Sequence, residues 1–241
     1  MKRLKIKLLI PSLITLTGLC FGISSIRFAF FEEFKIAIIC ILIAGVCDVL
    51  DGLFSRLLKA ESDIGAELDS LSDFLCFGVA PGILLFFGLI DQQTIWGYIS
   101  IAGYIIFSCI RLAIFNIDQS SNILASHRGY FMGIPTPGGA GLILLPFIHY
   151  FLGFNWSIDH PLILNGYVAC VGLLLIIKMP TFSSKQILLS INRKIYLRFF
   201  FGFIISVLLL INFIWQFLSV LGLLYIFSFP FSVYFYYKVK S

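Results

Sequence analysis

Apolar residues in this chain come in long, nearly unbroken runs, and that pattern permits few folds. Eight runs approach membrane-spanning length: Leu8–Phe30, Ile36–Leu58, Ala66–Ile90, Trp96–Asn116, Gly133–Leu152, Leu162–Met179, Leu197–Phe217 and Val220–Tyr237. At about 1.5 Å of rise per residue, about 20 residues cross a hydrocarbon core of about 30 Å. The runs are too continuous for an outer-membrane barrel, whose strands alternate over about ten residues. A soluble fold is excluded by the surface it would need. Of 241 residues, 60% are hydrophobic and only 12% are charged, about half the charge of an ordinary soluble domain. That leaves too little polar surface to cover a globule. The reading is an all-α, polytopic integral membrane protein, a single domain over residues 1–241, with about eight transmembrane helices, or six if a hairpin fails to span. Pro135, Pro137, Gly138 and Gly139 interrupt the start of the fifth run. The last two runs are separated only by a turn expected at Trp215–Gln216.

The net charge is +5. In a soluble protein that would suggest a nucleic-acid partner, but here the cations lie between apolar runs, where they orient helices. No nucleic acid is expected. With eight spans both termini share a side. That side holds 15 of the 17 basic residues, and only Arg27 and Lys35 fall towards the other. The positive-inside bias makes both termini cytoplasmic in a multi-pass protein of the cytoplasmic (inner) membrane. The basic start before the first run imitates a signal peptide. The run outlasts signal-peptide length, however, and Leu19 precedes Cys20 where a lipoprotein site wants a small residue, so a retained first helix is expected. The six cysteines lie inside apolar runs without a CxxC pair, as small core residues do.

Against this background the second and third runs carry Asp48, Asp51, Glu67, Asp69 and Asp73. One carboxylate at mid-membrane costs roughly 2.5–3.5 kcal/mol, and several together exceed what marginal stability tolerates without compensation. They must face a polar cavity that contains something cationic. Asp48 and Asp51 are three apart, Asp69 and Asp73 four apart, so on helices each pair shares a face. Two such helices in an antiparallel hairpin joined near Arg56–Asp63 bring four carboxylates together. All-oxygen ligands select hard divalent cations, Mg²⁺ or Mn²⁺, and four aspartates suit two metal ions, as in phosphoryl-transfer sites. Gly52 and Gly65 flank the hairpin and permit close approach of a ligand or neighbouring backbone. Arg56, one turn beyond Gly52, is able to hold a phosphate bidentately. A proton or ion relay in a transporter is the alternative use of such carboxylates. Transporters often carry internal repeats, and none is visible here.

Written out, the segment is Asp48-x2-Asp51-Gly52-x2-Ser55-Arg56-x8-Gly65-x3-Asp69-x3-Asp73. It resembles the signature of the CDP-alcohol phosphatidyltransferase family, which carries Ala where Ser55 stands. Flanking residues resemble the serine-transferring branch of that family: Glu67-Leu68-Asp69-Ser70-Leu71-Ser72-Asp73-Phe74, Phe77-Gly78-Val79-Ala80-Pro81, Arg111-Leu112-Ala113-Ile114-Phe115-Asn116 and Phe131-x-Gly133-Ile134-Pro135-x-Pro137. Ile114 departs from that branch's second Arg. Pro11-Ser12-x2-Thr15 resembles an amino-terminal Pro-Asn-x2-Thr element, with Ser12 for Asn. The resemblance covers about residues 8–145, with its core at 48–73.

It implies transfer of a phosphatidyl group from CDP-diacylglycerol to an acceptor alcohol with release of CMP, two Mg²⁺ or Mn²⁺ ions, and a homodimer in the lipid bilayer. L-serine is the acceptor implied by the flanks; glycerol 3-phosphate, inositol phosphate or choline remain alternatives. By position, Asp48 and Asp69 would bridge both metals, Asp51 would bind one and Asp73 the other, and Asp73 would also take the acceptor's proton. Gly52, Arg56 and Ser62 would contact the CDP moiety, and Pro11–Ile14 would line the same pocket. Arg111, Asn116, His127 and Arg128 flank a cytoplasmic stretch, and Arg111, Asn116 and Arg128 are candidates for acceptor or phosphate contacts.

Overall fold

A computed structural model of the chain describes residues 2–58, 62–90, 94–120, 130–177, 180–182 and 213–240. The architecture is helical. In chain order it runs α1 (Lys2–Phe30), α2 (Phe34–Leu58), α3 (Asp63–Asp73), a π-helical turn (Phe74–Val79), α4 (Ala80–Gly88), α5 (Ile95–Ser120), β1 (Tyr130–Met132), α6 (Thr136–Phe151), the short α7 (Trp156–Asp159), α8 (Pro161–Ile176), β2 (Pro180–Phe182) and α9 (Ile214–Lys240). Four stretches are long and apolar enough to cross a membrane: Leu9–Phe30, Phe34–Leu58, Asp63–Gly88 and Ile95–Ile117. They reproduce the first four expected spans to within a few residues. The protein is an integral membrane protein.

The helix within the fifth run, α6, begins later than the run itself, because Pro135 stands in extended backbone as the residue before it, and its 16 residues fall short of the four stretches above. The seventh run lies almost wholly outside the described residues. The turn expected at Trp215–Gln216 is not there: α9 begins at Ile214 and continues past both residues. Neither residue breaks a helix, and Trp215 packs edge-on against Phe151 of α6 with ring centroids 4.7 Å apart, which holds this turn of α9 against the bundle. Among the described residues the only extended pairing is β1 with β2, antiparallel, Phe131 opposite Thr181.

The buried core lies where α4, α5, α6 and α8 meet, around Leu84, Leu85, Tyr104, Ile143, Phe147, Leu164 and Leu175. The outward faces are apolar too, with Leu13, Val46, Val49, Leu57 and Ile64 all exposed, the surface expected of a protein whose solvent there is lipid. The cysteines are all free thiols.

Two prolines in these helices cannot donate to the carbonyl four residues back. Pro81 cannot donate to the Phe77 carbonyl four residues back, and the Tyr104 hydroxyl of α5 donates to it instead at 2.7 Å. Pro146 cannot donate to Leu142, and the Tyr167 hydroxyl of α8 does so at 2.7 Å. Each tyrosine satisfies a backbone group that lipid cannot and ties one helix to the next. At Gly78 a Cβ would fall 2.7 Å from the Ser108 hydroxyl oxygen, so only glycine lets α5 come this close to the π-helical turn.

Candidate active site between the first three helices

Asp48 and Asp51 lie on α2, with Asp51 only 5% exposed, while Asp69 and Asp73 lie on α3. One carboxylate oxygen from each of Asp48, Asp51 and Asp69 lies within 4.8 Å of the others. Asp73 stands outside that set but lines the same cavity, together with Thr15, Gly18, Ala44, Ser72, Cys76 and Phe77. Counting back from Leu58 at 1.5 Å per residue, the aspartates of α2 lie about 10–15 Å in from the end of that helix. Glu67 is exposed and plays no part in the cluster.

The route to this convergence differs from a simple hairpin. α2 and α3 make few contacts with each other; both pack on α1. The first helix is therefore the third wall of the site. Its Thr15 is buried, and its hydroxyl donates to Asp51 Oδ2 at 2.5 Å, with the Pro11 carbonyl 3.1 Å away. Ser72, between the two aspartates of α3, approaches the Thr15 carbonyl at 3.5 Å, and the Cys76 thiol approaches the Gly18 carbonyl at 3.5 Å. Directly after Asp73 the helix widens into the π-helical turn, a distortion common at functional sites.

The charged neighbours of Asp48, Asp69 and Asp73 are the other carboxylates. A converging, all-oxygen, acid-only donor set fits a hard divalent cation and leaves the cluster uncompensated otherwise.

The remaining candidates divide. At Gly52 a Cβ would meet nothing nearer than Arg56 Nη2 at 3.8 Å, so the glycine faces open space rather than a packed helix. Arg56 is exposed and its Nε donates to the Gly52 carbonyl at 2.8 Å. Ser62 caps α3, its Oγ accepting the Gly65 N–H at 3.1 Å, and a Cβ on Gly65 would lie 2.9 Å from that oxygen. Asn116 lies with its amide nitrogen 3.0 Å from the Ser70 hydroxyl, which joins α5 to the residue beside Asp69. Arg111 is buried on α5 and donates from Nε to the Ile134 carbonyl at 3.0 Å, bracing the approach to α6. His127 and Arg128 lie outside the described residues.

Sequence reasoning missed Thr15, Ser72 and Cys76 as site neighbours. The signal at Thr15 was its place one turn beyond Pro11; Ser72 and Cys76 had none beyond adjacency to Asp73.

Comparison with known proteins gives a consistent match. The family model described as CDP-alcohol phosphatidyltransferase matches residues 8–178. The chain is similar to the CDP-diacylglycerol–serine O-phosphatidyltransferase of Mycobacterium leprae, 39% identical over 134 residues, which cover 55% of this chain and 44% of the relative. Its similarity to the protein of that name from Helicobacter pylori strain J99 is 32% over 184 residues, 74% of each chain. To that from Bacillus subtilis it is 33% over 141 residues, 58% of this chain and 76% of the relative. The chain thus spans under half the length of the mycobacterial relative and about three quarters of the other two.

Proposed function

The chain belongs to the CDP-alcohol phosphatidyltransferase family, and from that premise we propose that it transfers the phosphatidyl group of CDP-diacylglycerol to L-serine, releasing CMP and forming phosphatidylserine. The observation that carries this reading is the convergence of Asp48, Asp51 and Asp69 inside a membrane-helix bundle, with Asp73 in the same cavity. The names of the relatives support serine as the acceptor.

Asp48, Asp51, Asp69 and Asp73 would hold two divalent ions, Mg²⁺ or Mn²⁺. When bound there, the ions supply positive charge that neutralises the pyrophosphate and the departing CMP. The chain's own residues do the rest. Asp73, set apart from the tight three-carboxylate group, accepts the proton of the serine hydroxyl, which is a poor nucleophile until a base takes it. The serine oxygen bonds to the phosphorus that carries diacylglycerol, and the bond from that phosphorus to the CMP oxygen breaks. Positioning contributes much of the rate in such a displacement. The open space at Gly52, with Arg56 beside it, admits the cytidine diphosphate backbone, and Ser62 is assigned to the same moiety on the family resemblance. Asn116, joined to Ser70, and Arg111 form the acceptor side, and Arg128 is assigned to it on sequence alone. The acyl chains lie along the lipid-facing apolar surface.

The reading places one such domain over residues 1–241, in the cytoplasmic membrane with both termini cytoplasmic, as the charge bias supports, and as a homodimer, as the family resemblance supports. Purified protein given CDP-diacylglycerol, serine and Mn²⁺ should release CMP and form phosphatidylserine. Product with glycerol 3-phosphate, inositol phosphate or choline but not with serine would reassign the acceptor. Ion flux in liposomes without CMP release would overturn the enzymatic reading.

A further inference from the structure

We infer that Thr15 is a positioning residue for the metal site: its hydroxyl fixes the carboxylate of Asp51, and α1, which lies outside the signature, thereby sets the cation affinity of a site built from α2 and α3. The inference rests on the metal-holding role proposed for the aspartates and deepens it.

Three observations carry it. The Thr15 hydroxyl lies 2.5 Å from Asp51 Oδ2, the length of a strong, charge-assisted bond. Asp51 is the least solvent-exposed of the four aspartates, and among the described residues Thr15 is the one side chain that donates to any of the four. α2 and α3 scarcely touch and are both seated on α1, so α1 is placed to hold them in register. A neutral donor suits this place. It pins one oxygen of Asp51, and hence the side-chain torsions, without cancelling the negative charge that attracts the cation. A lysine or arginine there would pin the carboxylate and also compete with the metal. Threonine is held in turn by its β-branch, which restricts χ1 in a helix, and its hydroxyl is within 3.1 Å of the Pro11 carbonyl one turn back.

Removing an outer partner of a metal ligand typically costs about 10–100-fold in metal affinity. Thr15→Val keeps the shape and deletes the donor; Thr15→Ala deletes the donor and the branch; Thr15→Ser keeps the donor. Each purified protein, stripped with chelator and checked for a monodisperse peak in detergent, is titrated with Mn²⁺ while free Mn²⁺ is read by electron paramagnetic resonance. The Val and Ala variants should bind Mn²⁺ about 10–100-fold more weakly than the unmodified protein, and the Ser variant within a few-fold of it. The Mn²⁺ concentration that half-saturates CMP release should move in parallel, with the rate recovering at saturating Mn²⁺. Normal Mn²⁺ affinity in Thr15→Val and Thr15→Ala, alongside lost binding in Asp51→Asn, would overturn the inference. So would a Ser variant as weak as Val, which would credit the methyl group rather than the hydroxyl. Unmodified protein that binds no Mn²⁺ would remove the metal site and the inference together. Protein that binds Mn²⁺ with this variant pattern but makes no phosphatidylserine would sink the serine reading and leave the role of Thr15 standing.

Discussion

Two regions of this molecule bury polar groups within membrane-spanning helices and treat them in opposite ways. Where α4, α5, α6 and α8 meet, the two carbonyls to which a proline cannot donate are met from within: that of Phe77, four residues before Pro81, receives the Tyr104 hydroxyl, and that of Leu142, four before Pro146, receives that of Tyr167. Between α1, α2 and α3, four carboxylates share a single hydroxyl donor among the described residues, and their charged neighbours are each other. Hydrocarbon tolerates neither an unmet carbonyl nor an unmet charge. In one region neutral carbonyls are met from within the fold; in the other, like charges are left facing one another.

The sharpest way to break this contrast is to remove charge from the site. Asp48→Asn or Asp69→Asn should reduce turnover to background, because each deletes an anionic ligand from a set with few others. Stability without metal should stay level or rise, since like charges are relieved. The stabilisation by metal should vanish: a ligand present at 100 times its dissociation constant adds about 2.7 kcal/mol to the unmodified protein. Thermal unfolding with and without Mn²⁺, alongside CMP release, checks both halves. If the Asn variants keep their activity and their Mn²⁺ stabilisation, the acidic region is not the incomplete one.

Within the site the next effect separates Asp73 from its neighbours. Asp48, Asp51 and Asp69 form the tight oxygen group, and Asp73 lines the cavity beside them. Asp73→Asn should lower the chemical step by about 10²–10⁴-fold, as loss of a general base does. It should weaken CDP-diacylglycerol binding less than Asp48→Asn does. Single-turnover CMP release and a CDP-lipid displacement assay at fixed metal distinguish the two. Equal loss of binding at saturating metal would return Asp73 to the ligand set.

Most of this comparison was open to sequence reasoning on one side only. The lengths of the apolar runs located α1, α2, the α3–α4 span and α5 closely, because hydrocarbon thickness fixes how long a spanning helix must be. The spacing of Asp48, Asp51, Asp69 and Asp73 announced the site, because carboxylates within such runs have few structural uses. The packing partner of those helices was not open to it. α2 and α3 look like a self-sufficient hairpin in the sequence, yet both rest on α1, and Thr15 reaches Asp51 across 36 positions. Long-range hydrogen bonds leave no local pattern. The same holds for Tyr104 and Tyr167, which read as ordinary apolar-run aromatics until Pro81 and Pro146 are seen to be unable to donate to the carbonyls they meet. The turn expected at Trp215–Gln216 failed for a related reason: a polar side chain between apolar runs marks a surface as readily as a break, and Trp215 spends its bulk on Phe151.

The smallest expected effect tests the scaffold half. If Tyr167 serves chiefly to satisfy the carbonyl freed by Pro146, its worth should depend on that proline. Tyr167→Phe removes the donor and leaves the Leu142 carbonyl open, a loss of about 1–3 kcal/mol by general experience with buried groups, though hydrogen bonds within membrane proteins average nearer 0.6 and reach about 1.7 kcal/mol. Pro146→Ala restores an N–H four residues beyond Leu142, so the helix satisfies its own carbonyl and the tyrosine hydroxyl becomes dispensable. In that background Tyr167→Phe should cost close to nothing, giving a coupling of about 1 kcal/mol in a double-mutant cycle. Denaturant unfolding in mixed micelles measures it. CMP release should be unchanged throughout, because neither residue lines the cavity of the aspartates. Tyr104→Phe is the contrast: a stability loss of similar size but with slower turnover, since the carbonyl it holds belongs to Phe77, which does line that cavity. Additive costs at Pro146 and Tyr167 would show that the tyrosine acts by packing alone, and the scaffold half would then be no more self-satisfied than the site.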